Sequence, residues 1–113
     1  MSKERLEGFF CKAANGRQLY EVEKATPEFI YVAAKILRQE FGFSELKKPI
    51  FGLTEVITEC SKDQLKLLLG WDNWSGFYVM ADTPETDEVV MAFGKYLDSI
   101  LHQPEFEIYV QVW

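Results

Sequence analysis

The sequence predicts an α+β fold: one domain, residues 1–113, in which a mainly antiparallel β-sheet packs against two main α-helices. Three observations lead there. The triplets Thr26-Pro27-Glu28 and Thr83-Pro84-Glu85 repeat one helix-start device, each followed by apolar residues at helical spacing. Several other segments alternate or are rich in β-branched residues, and turn-forming pairs separate them. A chain of 113 residues that is 48% hydrophobic and 15% aromatic can bury a core, which excludes a disordered polymer.

In chain order, LEGFFCKAANGRQLYEVEK places Asn15-Gly16 between two mixed runs. A two-residue Asn-Gly turn would make a hairpin with Phe9, Cys11, Tyr20 and Val22 on one face. A helix over Leu6, Phe9, Phe10 and Ala13, stopped by Gly16, is the other reading for residues 6–23. Gly8 in its interior weighs against it. The first capped helix should run from Thr26-Pro27-Glu28 to about Phe41 and stop at Gly42. Its wide apolar face (Phe29, Ile30, Val32, Ala33, Ile36, Leu37) predicts extensive burial. GLTEVITEC (52–60) reads as a strand, although Leu53, Val56, Ile57 and Cys60 also fit a helical stripe. QLKLLL (64–69) and GFYVMA (76–81) read as two arms of one hairpin. The second helix, from Thr83, carries Val89, Ala92, Phe93, Tyr96, Leu97, Ile100 and Leu101, and should end near His102-Gln103 before Pro104. Residues 106–113, FEIYVQVW, alternate with period two and predict a final strand.

Charge is unevenly distributed. Residues 1–66 hold eleven Lys/Arg against ten Asp/Glu, whereas residues 67–113 hold Lys95 alone against eight acids, so the net −6 arises entirely in the C-terminal part. Acids that cap a helix and aid solubility account for some of this. The same field repels nucleic acid, whose binding needs clustered Lys/Arg, and attracts a basic protein. No run of about 18 apolar residues exists to span a membrane. The opening MSKERLEG lacks the apolar core of an export signal, so a cytoplasmic location with Cys11 and Cys60 reduced is expected.

Catalytic constellations are missing from the sequence. There is no glycine-rich phosphate loop, no dinucleotide fingerprint and no paired-Cys metal motif, and one histidine cannot build a multi-His zinc site. His102 falls where a helix should end, a position suited to the C-terminal carbonyls and dipole. Carboxylate pairs such as Asp87-Glu88, or Glu55 with Glu59, would need a cleft that separates their pKa values before they could do acid–base work. The expectation is a non-enzymatic protein with no cofactor and no metal.

The stretch GWDNWSGFYVMADTPETDE (70–88) carries the most information. With Asp72-Asn73 as the central turn residues, Trp71 and Trp74 would pair across the strands, an arrangement contributing about 0.2–1 kcal/mol. Leu65, Leu67 and Leu69 would then share a face with Tyr78 and Met80. One more loop residue would set them beside Phe77, Val79 and Ala81 instead. Hairpin tips are exposed, and tryptophan is a frequent hot spot at interfaces. Trp71, Asp72, Asn73 and Trp74, with Asp82, Glu85, Asp87 and Glu88 as an acidic rim, are therefore the candidate partner-binding residues, suited to a basic partner.

A small, acidic, aromatic-rich α+β chain bearing WDNW and DTPETDE resembles the bacterial immunity proteins of contact-dependent-inhibition and polymorphic-toxin systems. That resemblance implies stoichiometric inhibition of a toxin domain, often a basic nuclease, by covering its active site or an adjacent surface. Two rivals stand beside it. One is a housekeeping adaptor or a homodimer formed through the edge of FEIYVQVW. The other is an uncommon enzyme or small-molecule binder with a pocket lined by Trp71, Trp74 and Tyr78.

Overall fold

Asn15-Gly16 makes a turn, but not the two-residue turn the pair favours. The structure, a computed structural model, describes residues 5–111. In it β1 (Gly8–Lys12) and β2 (Gln18–Val22) are joined through a three-residue loop, with Ala13 N–H donating to Arg17 O and Gly16 N–H to Ala13 O, both at 2.9 Å. Gly16 alone takes the left-handed backbone (φ +84°), and Asn15 instead accepts the Arg17 N–H on its side chain at 3.0 Å. A turn followed by a left-handed glycine is the usual three-residue hairpin solution. The resulting register pairs Phe10 with Tyr20 and Phe9 with Glu21. Phe9 and Cys11 therefore lie on the opposite face from Tyr20 and Val22, which corrects the grouping expected from a two-residue turn.

After β2 come α1 (Phe29–Phe41), β3 (Ile50–Phe51), β4 (Glu55–Lys62), β5 (Leu65–Asp72), β6 (Gly76–Ala81) and α2 (Pro84–Ile100). The six strands form one sheet in the order β1-β2-β6-β5-β4-β3, with every neighbouring pair antiparallel. The chain thus crosses with α1 from β2 to the far edge and returns as a meander, which brings β6 beside β2. GLTEVITEC resolves as the strand reading, since β4 pairs with β5 along eight rungs.

One face of the sheet makes the core. Tyr20, Val22, Phe77, Val79, Ala81, Leu67, Leu69, Val56 and Cys60 all point to it and are buried. Both helices pack there: Phe29 of α1 meets Phe77 edge-on at 5.1 Å, and Gly94 of α2 lies under Phe10 and Tyr20, where a Cβ would approach within about 2.6 Å of either ring. Burying each large side chain contributes about 1.5–3 kcal/mol, and this face supplies most of them. Tyr20 is fully enclosed, and its hydroxyl donates to Asp98 Oδ1 at 2.5 Å, which satisfies the one polar atom that burial would otherwise strand.

The helix starts differ from expectation in one place, at Thr26. Thr26 provides no side-chain cap for α1; its carbonyl accepts the Phe29 N–H at 3.1 Å within a turn that leads into the helix, which stops as expected with Gly42 left-handed (φ +76°). For α2, Thr83 is the N-cap, and the buried Thr86 completes the start: its Oγ1 accepts the N–H groups of Asp82 and Thr83 at 3.0 and 2.9 Å and donates to Thr83 O at 2.8 Å.

The expected last strand is a correction. Pro104–Tyr109 form a 3₁₀ segment, and among the described residues of the tail Val110 alone makes a β-bridge, to Ala25. Pro104 starts a fresh turn, and a period near three then sends Phe106 and Tyr109 together onto Phe29, at 6.5 and 5.9 Å between ring centres. Core burial of two aromatics outweighs the period-two pattern over 106–109, and the described tail pairs only from Tyr109 onward, where Thr26 N–H donates to Tyr109 O and Gln111 N–H to Lys24 O at 2.8 and 2.7 Å. Val112 and Trp113 lie outside the described residues.

Candidate functional site

The hairpin at 70–76 does not turn on the Asp-Asn pair. Asp72 pairs with Gly76, so the loop is Asn73, Trp74 and Ser75. Asp72 Oδ1 accepts the backbone N–H groups of Trp74 (2.9 Å) and Ser75 (2.5 Å), clamping the loop from inside. Gly76 is left-handed (φ +67°), and a Cβ there would collide with the carbonyl oxygens of Val22 and Glu23. Both the angle and the space demand glycine.

This register separates the two tryptophans. Trp71 pairs with Phe77, not Trp74; it packs on the core, and its indole N–H donates to Ala25 O at 2.7 Å. Trp74 stands at the loop tip, 77% exposed, beside exposed Asn73. Leu67 and Leu69 face inward with Val79 and Ala81, the more apolar of the two groupings the sequence allows. Trp71 and Tyr78 project from opposite faces of the sheet, so Trp71, Trp74 and Tyr78 do not line a common pocket.

The acidic rim lies elsewhere. Trp74 precedes β6 and Asp82 follows it, which sets the tip and the acidic turn about 20 Å apart at the usual rise per residue. Asp82, Glu85 and Glu88 are exposed at the start of α2. Asp87 is held within the molecule, accepting the Gln18 N–H at 2.8 Å and pairing with Arg17 at 3.1 Å. The Glu85 carboxyl sits below the ordinary carboxylate range, first because its own backbone N–H bonds to it, then through the Thr83 hydroxyl.

Between those two ends lies a feature that none of the motifs announced. Every buried strand side chain faces the helices, and among the described residues no element covers the other face of the sheet. Two rungs cross it. The first runs Phe9, Glu21, Tyr78, Gly70, Ile57, Ile50, through all six strands. The second runs Cys11, Leu19, Met80, Leu68, Glu59. Tyr78 lies over Gly70, which must lack a side chain because a Cβ would run into the phenol ring. Phe9, Ile57 and Ile50 are 43, 37 and 72% exposed. Such an apolar surface, rimmed by charge, is what interaction sites present.

The charge on this face is acidic. Glu55 pairs across the strands with Asp72, one rung from Tyr78 and Glu21. Burial, followed by the negative charge of Asp72, lifts the Glu21 carboxyl above its ordinary value. The Tyr78 phenol is raised in the same way, by burial and then by Asp72 and Glu55. Glu59, by contrast, is neutralised by Lys47 at 2.5 Å and Lys66 at 3.7 Å. Among the described residues, Glu21, Asp72 and Glu55 have no Lys or Arg paired with them.

Reactive chemistry finds little footing. The buried Cys60 thiol is pushed up to about 12 by desolvation and by Glu59, so it is a neutral thiol at physiological pH. Among the described residues no three His, Cys, Asp or Glu are grouped to hold a metal ion, and no helix is long and apolar enough to cross a membrane. His102 is exposed beyond the end of α2, beside a shallow 360 Å³ depression that Asp98 and Arg5 also line. The sequence did carry a signal for the open face. Leu67-Leu68-Leu69 and Phe77-Tyr78-Val79-Met80-Ala81 run without a charge, so β5 and β6 each carry apolar side chains on both faces, while both helices pack on only one.

Comparison of the chain with protein-family models, with characterised proteins and with solved structures returned no match. The fold and the site together define a class: a two-layer α+β protein whose antiparallel sheet is helix-covered on one face and bare, apolar and acidic on the other.

Proposed function

We propose that this is a non-enzymatic, cytoplasmic binding protein for a basic protein partner, and that its particular role is that of an immunity-type inhibitor which neutralises a nuclease-like toxin domain. The observation that carries this reading is Trp74, 77% exposed on a loop whose backbone Asp72 holds rigid. With the loop backbone already held, burying the ring leaves only its side-chain torsions to order, which keeps the entropic cost of a tryptophan anchor low. The surrounding field supports a cationic partner, because residues 67–113 carry one base against eight acids and would speed its encounter.

Co-expression with the product of the adjacent reading frame tests the proposal. The expected result is a one-to-one complex that survives purification, associates more slowly as salt rises, and loses about tenfold or more in affinity in Trp74→Ala. Failure to form a complex, or a complex indifferent to Trp74→Ala, would overturn it. One observation favours a second reading, self-association or an adaptor role: Ile50 and Phe51 at the β3 edge are 72 and 68% exposed, and Leu53 beyond them is exposed too. Light scattering separates the two, since a stable homodimer through that edge is expected only for the second.

A further inference from the structure

We infer that the open face of the sheet, carrying Phe9, Leu19, Tyr78, Met80 and Leu68 around Glu21, is the docking surface for a cationic amphipathic helix of the partner. This rests on the reading that the partner is a basic protein, and it adds where that partner sits and what it presents.

Three features of the face select this occupant. The first is charge. Glu21, Asp72 and Glu55 cluster on the central strands with no base paired to them among the described residues, and Glu23 adds a further carboxylate whose charge is felt at Glu21. A second copy laid face to face would set like charges against one another in a drying interface, whereas Lys or Arg would relieve the repulsion already present. The second feature is the apolar rung Leu19–Met80–Leu68, which asks for apolar side chains between those cations.

The third is backbone accounting. The inner strands have both ladders filled, so the face offers an incoming chain no main-chain partners. An occupant must arrive with its own backbone satisfied, as a helix does. Strand addition directly to β4 is closed as well, which leaves the two-residue β3 as the edge on that side. Residues 44–52 already run along that edge, with Ser44 N–H donating to Ser61 O, Lys47 N–H to Glu59 O and Gly52 N–H to Glu55 O, at 2.7, 2.9 and 2.8 Å. The opposite face of this same sheet already accepts two helices.

An 18-residue amidated Leu–Lys amphipathic peptide is a suitable probe, with its Leu–Glu analogue as control. Each is titrated in near-physiological salt into the isotope-labelled full chain while backbone amide shifts are followed. The Leu–Lys helix should bind one-to-one, with shifts centred on β2, β6 and β5, and the Leu–Glu helix should not bind. Glu21→Lys and Met80→Lys should each weaken binding about tenfold or more, while Glu88→Lys, an equal charge change on α2, should alter it less than twofold. Shifts centred on α2 or on the free β1 edge, equal binding of the Leu–Glu peptide, or equal weakening by Glu88→Lys would overturn the inference. The wild-type shift map decides the matter even if a lysine variant does not fold. If the peptide fails while a Trp74-dependent complex exists, the docking inference falls alone. If the peptide maps to the face but no basic protein partner forms a Trp74-dependent complex, the functional reading falls alone.

Discussion

Trp71 and Trp74 stand three residues apart and are committed to different ends. Trp71 is half-buried against the core, and its indole N–H closes on Ala25 O, a carbonyl that also accepts from Gln111 Nε2 at 2.6 Å. Truncating it leaves a cavity and weakens the tie between β5 and the segment after β2. Urea unfolding should therefore show Trp71→Ala destabilised by about 2–4 kcal/mol, and Trp74→Ala changed by less than about 0.5 kcal/mol. If the two variants unfold alike, the assignment of one ring to stability and the other to recognition is wrong. The sequence placed both rings at a turn and could not tell them apart. One loop residue moves a side chain from core to tip, and turn propensity leaves that count open.

Among the elements, the β1–β2 and β5–β6 loops share a device, a left-handed glycine at the end of a short loop, yet the glycines differ in what surrounds them. A methyl group added at Gly16 would meet nothing within 4 Å, whereas one added at Gly76 would strike the carbonyls of Val22 and Glu23. Gly16→Ala should cost only the backbone penalty, about 1–2 kcal/mol. Gly76→Ala should cost clearly more, because β2 must also shift; paired thermal melts measure the difference, and equal losses would refute the close approach. The capped helix at Thr83 was legible because Thr-Pro-Glu names a start locally. The same triplet at Thr26 begins a turn two residues ahead of its helix, with Thr26 N–H drawn off to Tyr109 O at 2.8 Å. The tail from Pro104 misled for a related reason: its alternation is real, but the aromatic core around Phe29 rewards a period of three.

For the whole molecule, the open face ties stability to pH. The Glu21 carboxyl has a folded pKa above its unfolded value, so the native state holds that proton more tightly. Its contribution to stability is fully present below the unfolded pKa and is lost as pH rises through the folded one. Glu59 and Glu85 work in the opposite sense, since their lowered values give stability that is lost as pH falls through them. Glu21→Gln should therefore raise the Tm near neutral pH while leaving it little changed well below the carboxylate range, and the same variant should bind the proposed cationic helix less tightly. Melting curves from about pH 2 to 8, which bracket the carboxylate range, test both halves when set beside the peptide titration. A variant that is less stable near neutral pH, or that binds as well as the parent, would contradict the account. A group that costs stability in the free protein yet faces solvent on a bare sheet is consistent with a surface kept for a partner.

Local periodicity, capping chemistry and simple counting were enough for the α+β class, the two helices, the β5–β6 hairpin and the concentration of acid in the C-terminal part. Which residues share a surface was a matter for the folded chain. Loop lengths of one residue set the register, the crossover through α1 set the strand order, and packing of both helices on one side left the other bare. Trp74 and the Asp82–Glu88 acids, near neighbours in sequence, thereby part to opposite ends of β6. Phe9, Glu21, Tyr78 and Ile57, scattered along the chain, meet in one rung, because strand pairing joins residues by register and not by distance along the chain.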